Sequence, residues 1–407
     1  MSEHIQEDDV ITPLIASYFD IEQIVPGGGQ YPFVRRYAGR LRTDSVRAYV
    51  ALSKDLKAHK LTPLFLEEGK QQIIQLMPGL PKPRPSNPWV NLVFFALTMV
   101  SVLVAGTLYA YEGPEPNSTT ELLKMLWNNL GLGIPFTISL LAILLAHEFG
   151  HYLAGRYHKT AVTLPYFLPF PFSPFGTLGA FIQLKEPPRN RRVLLDIGIA
   201  GPLAGLVVAI PVLLIGLALS DLNQFPAFVR AGDAISLEGN SILYLLSKYL
   251  VFHQWLPTPQ SYGGLPPLLY WIRYLFTSLP TPLGGSDVFL HSVAWAGWAG
   301  LLVTALNLIP AGQLDGGHVL YSLFGKRASL VLPFILVGIA ILGFFWSGWW
   351  LWVFLILMMG RTHAQPLDQI TKLDASRKAL ALFGLLVFIL VFTPVPLRLI
   401  AGPFGGP

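Results

Sequence analysis

The chain contains the run His147-Glu148-Phe149-Gly150-His151. On a helix, residues i and i+4 share a face, so both imidazoles reach one ion while Glu148 stands beside a coordinated water. A zinc ion lowers the pKa of that water from about 16 toward roughly 7. Glu148 can then accept its proton and later deliver it to a leaving amine. With nine His in 407 residues, random placement yields this pattern in roughly one chain in 200. The motif also lies in an apolar stretch, Leu140–Ala154, where a central charge such as Glu148 costs about 2.5–3.5 kcal/mol unless paired or solvated. The plain alternative is a buried polar cluster that satisfies itself.

Catalytic zinc takes three protein ligands and leaves one position open, so two His are one short. There is no Cys, which excludes disulfides and thiolate sites and leaves a buried carboxylate or a further His. Asp315 is the candidate, in Asn307-Leu308-Ile309-Pro310-Ala311-Gly312-Gln313-Leu314-Asp315-Gly316-Gly317. Pro310, Gly312, Gly316 and Gly317 should break the apolar helix there. Irregular backbone at membrane depth is tolerated only around a cavity or a buried site. The alternative is a simple Gly-Pro break with Asp315 capping the next short helix. His318, three residues after Asp315, could face the metal, but a solvated position near the cytoplasmic interface is the expectation; His158 is expected in a loop, and Asp196 as a cap or interface group. His291 and His363 have no matching partner, and His253 falls in the expected outer loop.

These side chains need elements to hold them, and the composition says where those elements lie. The chain is 53% hydrophobic and only 13% charged, with mean hydropathy +0.52, the profile of a polytopic membrane protein. Apolar runs predict spans near 89–111, 133–156, 195–219, 288–308, 328–346, 348–360 and 379–396, while 241–253 is apolar but brief. Arg and Lys crowd the N-terminal region (Arg35, Arg36, Arg40, Arg42, Arg47, Lys82, Arg84). They return at 156–192, at Lys326 and Arg327, and at 361–378 (Arg361, Lys372, Arg377, Lys378). Seven spans with the N-terminus inside put every basic segment in the cytoplasm. The net charge of +5 therefore reads as topology, not as nucleic-acid binding. The spans carrying His147 and Asp315 both run outside to inside, so the two motifs meet in the cytoplasmic half of the membrane. Residues 1–88 read as a small α+β module. It has a strand at Phe33–Leu41, a helix at Asp44–Lys57, strands at Thr62–Leu66 and Gln71–Leu76, and a linker of Pro81, Pro83, Pro85 and Pro88. The start, with Glu3, Glu7, Asp8 and Asp9 and no apolar core, does not resemble a signal peptide.

The paired motifs resemble those of the site-2 protease family of intramembrane zinc metalloproteases, H-E-x-x-H followed by N-x-x-P-x-x-x-L-D-G. Asn307, Pro310, Leu314, Asp315 and Gly316 match position for position. The resemblance implies His147, His151 and Asp315 as ligands of one zinc ion, Glu148 as general base, and Asn307 as a residue that holds or polarises the substrate peptide. It also implies that Thr163–Leu184 is the family's membrane-associated β-hairpin, and that Ala200-Gly201-Pro202-Leu203-Ala204-Gly205 lies on its third core helix. Small residues on that helix point to packing first. Gly155-Arg156-Tyr157-His158, Leu164-Pro165-Tyr166-Phe167 and Gly39-Arg40-Leu41-Arg42-Thr43-Asp44 are similar to the plastid and bacterial branch that includes the ethylene-dependent gravitropism-deficient yellow-green proteins. The last segment departs from that branch's usual G-N-L-R-G. No segment resembles the PDZ or CBS modules of other branches.

The expected fold is a polytopic α-helical membrane protein of about 6–8 transmembrane helices around a site-2 protease core. It carries a membrane-associated β-hairpin and a small α+β N-terminal domain, with residues 1–88 as the soluble cytoplasmic module and 89–407 as the transmembrane metalloprotease domain. The expected partners are a transmembrane protein or peptide substrate and membrane lipid. The expected location is the inner (plasma) membrane of a bacterial-type cell, multi-pass, with a cytoplasmic N-terminus. A cation transporter is the reading from another class, but it needs no Glu148 between the ligands, and the chain lacks the internal repeat common among transporters.

Overall fold

The computed structural model describes residues 3–28, 31–81, 83, 85–230, 234–358 and 365–402. Lys82, Arg84 and Arg361 of the basic clusters, His363, and positions 359–360 of the expected span 348–360 lie outside the described residues.

Helix α1 (Glu3–Ala16) leads into a four-stranded antiparallel sheet of order β1-β2-β4-β3. Its strands are β1 (Phe19–Gly28), β2 (Tyr31–Leu41), β3 (Leu61–Glu68) and β4 (Gln71–Pro78), with α2 (Ser45–Asp55) crossing between β2 and β3. Asp44 caps α2, its carboxylate accepting from the Val46 and Arg47 amides at 3.0 and 3.3 Å, which satisfies donors a helix start leaves free. Ala48, Tyr49 and Leu52 then bury against Phe65 and Ile74. The sequence left β1 unseen because only Phe19 of this edge strand is fully buried, and irregularities at Ile21/Gln23 and Pro26/Gly28 break up a weak alternation. A distant segment completes this core: Leu367 and Ile370 pack into it. The Phe65 amide donates to Leu367 O at 2.8 Å, the Gln369 amide to Phe65 O at 2.9 Å, and the Ser45 and Thr371 hydroxyls meet at 2.6 Å.

The apolar part begins with α3 (Pro88–Ala110), α4 (Thr119–Asn129) and α5 (Ile134–Tyr157). The hairpin β5 (Tyr166–Pro169)/β6 (Thr177–Phe181) and α6 (Arg191–Ala218) follow. Next come β7 (Asp221–Gln224), β8 (Ala234–Glu238), α7 (Ile242–Phe252), α8 (Pro267–Thr277), β9 (Ser286–Phe289) and α9 (Ser292–Asn307). The chain continues through α10 (Asp315–Phe324), α11 (Leu332–Leu342), α12 (Gly348–Met358), α13 (Ala375–Val391) and β10 (Leu397–Ala401). Helices α5, α6 and α9 form the centre, around Leu140, Leu144, Leu213 and Trp298. Gly297 lets α9 lie on α6, since a Cβ there would sit 2.6 Å from the Leu213 Cα; close helix approach of this kind needs small residues. Strand β10 pairs with β8, and β7 with β9, so Leu397–Ala401 sits beside Ala234–Glu238, in the stretch between α6 and α9.

Among the described residues, three helical stretches are long and apolar enough to cross a membrane: Pro88–Ala110, Thr119–Tyr157 and Arg191–Ala218. A fourth counts if Asp315–Leu330 and Leu332–Leu342, bent by 86°, form one span. The other expected spans are shorter helices. The run 288–308 gives its first residues to β9 and ends at Asn307. That leaves 16 residues, about 24 Å of helix against a hydrocarbon core of about 30 Å.

One end of α5, α6 and α13 is tied by charge. Arg377 on α13 forks onto Asp196 of α6 with contacts of 2.7–3.1 Å, and His158 Nε2 lies 3.0 Å from the same carboxylate. Asp196 is thus an interface group, and His158, read as a loop residue, is the C-cap of α5. Asp374 caps α13, and hydrogen bonds from the Arg377 amide and the Ser376 hydroxyl hold its carboxyl below the usual range.

Candidate metal centre

The i, i+4 spacing on α5 puts His147 and His151 on one face, where both are buried (3% and 6% exposed) along with Glu148 (3%). Asn307 ends α9, and the chain then turns through Gly312, which takes φ +57°, into α10. The turn folds back tightly: a Cβ on Gly316 would lie 1.9 Å from Leu308 O. This return sets Asp315 as the first residue of α10, with Leu314 in the cap position. The Asp315 carboxylate is therefore free to face α5.

Asp315 Oδ2 lies 3.4 Å from His147 Nε2 and 3.2 Å from His151 Nε2, and the two Nε2 atoms are 3.3 Å apart. Ligand atoms about 2.0–2.1 Å from a tetrahedral ion stand about 3.3 Å from one another, so the donor set matches zinc in type and spacing. His151 Nδ1 is 2.7 Å from Ile197 O. A carbonyl only accepts, so Nδ1 carries the proton and Nε2 keeps its lone pair for a metal. The Asn307 amide nitrogen reaches to 3.2 Å from His147 Nε2. Glu148 Oε2 is buried and has no hydrogen-bond partner among the described residues, a state a carboxylate rarely keeps without a role for it.

These side chains line a cavity of about 180 Å³ walled on one side by Ala180, Phe181 and Ile182 of the hairpin. Strand β6 pairs with β5 and, among the described strands, with no other. The hairpin lies along α3. At one end the Asn91 amide donates to Leu164 O and Pro165 O at 3.0 and 2.9 Å. Further on, a Cβ on Gly176 would touch Ser101 O at 2.4 Å. Asn91 and Ser101 are separated by about 15 Å of helix, so the hairpin runs deep beside an apolar span.

One feature went unread in the sequence, and a second was weighed the other way. Gly201 reads in the sequence as a packing residue first, yet a Cβ there would sit 2.0 Å from His151 Nε2. The glycine leaves the space in which that ring stands, and the run of small residues was the available signal. His318, for which the sequence favours a solvated position over one facing the metal, is half-buried and lines the cavity. Gly201→Ala is expected to displace the His151 ring and weaken zinc binding roughly 10–100-fold, measured by zinc titration of the purified protein. Gly338→Ala on α11, where nothing lies within 4 Å of the added carbon, is the matched control.

The sequence pattern of peptidase family M50 matches residues 135–344, just over half of the chain and inclusive of both motifs. The chain belongs to peptidase family M50, and the likeness to site-2 proteases and to their yellow-green branch is borne out. "Probable zinc metalloprotease EGY1, chloroplastic" of Arabidopsis thaliana is 29% identical over 339 residues, covering 77% of this chain and 55% of that protein. "Probable zinc metalloprotease EGY2, chloroplastic" of the same plant is 29% identical over 375 residues, covering 88% and 60%. "Probable zinc metalloprotease EGY3, chloroplastic" of Oryza sativa subsp. indica is 25% identical over 320 residues, covering 76% and 49%. The chain thus spans about half to three fifths of the length of these relatives. No solved structure matches it.

Proposed function

We propose that this chain is an intramembrane zinc metalloprotease that hydrolyses peptide bonds of membrane-embedded substrates. The observation that carries the reading is the convergence of His147, His151 and Asp315 within 3.2–3.4 Å beside a buried, unpartnered Glu148. His147, His151 and Asp315 hold the metal. Bound there, zinc supplies Lewis acidity toward a peptide carbonyl and toward a water. Glu148 takes the proton of the attacking water and delivers it to the amide nitrogen as the C–N bond breaks. Asn307 orients the peptide carbonyl. The unpaired edge of β6 takes an unwound substrate segment as an added strand, because a helix hides its carbonyls in its own hydrogen bonds.

Seven crossings place the basic clusters, and with them the 1–88 module, on the cytoplasmic face of a bacterial-type inner membrane. The remaining chain, 89–407, is the protease domain, with residues 365–373 reaching back to the module. Pairing of β10 with β8 supports this topology, since both then lie outside. The test is cleavage of a transmembrane peptide by the purified chain in detergent, with cut sites located by mass spectrometry. Chelation should stop the reaction and zinc should restore it. Cleavage that survives complete removal of metal overturns the proposal.

A further inference from the structure

Away from the metal centre, a cavity of about 550 Å³ opens where the N-terminal sheet meets the starts and ends of the apolar helices. Four cations from three separate parts of the chain face it: Arg191 at the start of α6, Lys326 and Arg327 after α10, and Lys372 in the segment docked on the sheet. One carboxylate, Glu67, shares the wall. Among the described residues, none of the four cations has a carboxylate within 4 Å. Arg191 is the best placed of them. Its guanidinium lies over the Tyr321 ring at 6.0 Å, and its Nε is buried without a hydrogen-bond partner. Gly325, at φ +59°, leaves room for it, since a Cβ there would come within 2.5 Å of Nη2.

Topology alone accounts for basic residues on this face. It does not account for their convergence on one cavity, nor for a guanidinium held by an aromatic ring with an unused buried donor. We infer that the cavity binds a phosphate group. A planar guanidinium offers paired donors to phosphate oxygens, and the lysines add point charges around it. The rim continues into exposed Phe324, Leu330 and Phe334, so one wall is charged and the next apolar. That juxtaposition fits an anionic phospholipid, headgroup in the cavity and acyl chains along α11, as basic pockets beside membrane helices do. The bound group would lie between the sheet, at Gly69, and the far end of the helix that begins with Asp315. This inference stands whether or not the chain is a protease.

The test uses the purified full chain, delipidated in neutral detergent, and reads binding by native mass spectrometry and by thermal unfolding. The probes are dioctanoyl phosphatidylglycerol, dioctanoyl phosphatidylcholine and glycerol 3-phosphate. Phosphatidylglycerol should bind saturably and more tightly than phosphatidylcholine. The double variant Lys326→Gln/Arg327→Gln, at two exposed positions that leave the fold intact, should weaken it about 30-fold. Lys378→Gln, a cation elsewhere on the same face, should leave it unchanged. Glycerol 3-phosphate binding as tightly as the lipid, and equally lost in the double variant, keeps the phosphate site but assigns it to a soluble ligand. Binding of no probe, or binding equally insensitive to the double variant and to Lys378→Gln, overturns the inference.

Discussion

Glu148→Gln is expected to retain zinc at the wild-type level while cleavage falls roughly 10²–10⁴-fold, the range for loss of a general base. The argument is geometric. Glu148 contributes nothing to the three-atom set of His147, His151 and Asp315, so an isosteric amide leaves the metal in place. The amide cannot accept a proton from water, and the buried Oε2 without a partner is the atom whose basicity is lost. Side-by-side zinc analysis and peptide cleavage check it. Activity within a few-fold of wild type in a variant that still holds zinc would remove Glu148 from the mechanism.

Asp315→Ala should lose both. The two imidazoles would remain 3.3 Å apart, but two neutral ligands make an incomplete zinc site. Changes to groups that merely support a ligand cost 10–100-fold in metal affinity, so removal of a ligand should exceed about 100-fold. Zinc should then be absent after dialysis, and cleavage should fall to background. The contrast with Glu148→Gln separates holding the metal from moving the proton. A variant that keeps full zinc occupancy would show that Asp315 is not a ligand.

Much of the site was legible because its signals are local or chemically costly. His147 and His151 share a helical face by spacing alone, and a lone Asp after Pro310 in an apolar run needs a partner. What sequence could not supply was the through-space relation of α6 to α5. Gly201 reads as a packing residue until the His151 ring is seen in the space it leaves. The β6 wall and the position of His318 depend on how the hairpin and α10 turn, which no periodicity encodes. In the fold, α2 and the strands β2, β3 and β4 stood out by alternation and capping, whereas the one inward face of β1 is only half-buried beyond Phe19 and is interrupted by register shifts. The later helices proved shorter than their apolar runs, because hydropathy does not distinguish residues spent on turns and strands from residues in the helix.

The N-terminal sheet has a consequence for how the molecule is made. Ser45 and Thr371, bonded in the finished structure, are 326 positions apart. A ribosome therefore releases the first strands long before Leu367 and Ile370 exist to close their core. Chains ordinarily complete such units from the N-terminus onward during synthesis. Here one patch of the earliest unit's core, where Leu367 and Ile370 will dock, stays open until most of the apolar helices have been synthesised. Docking of residues 367–371 is thus a late event that joins the first-made unit to the segment leading into α13.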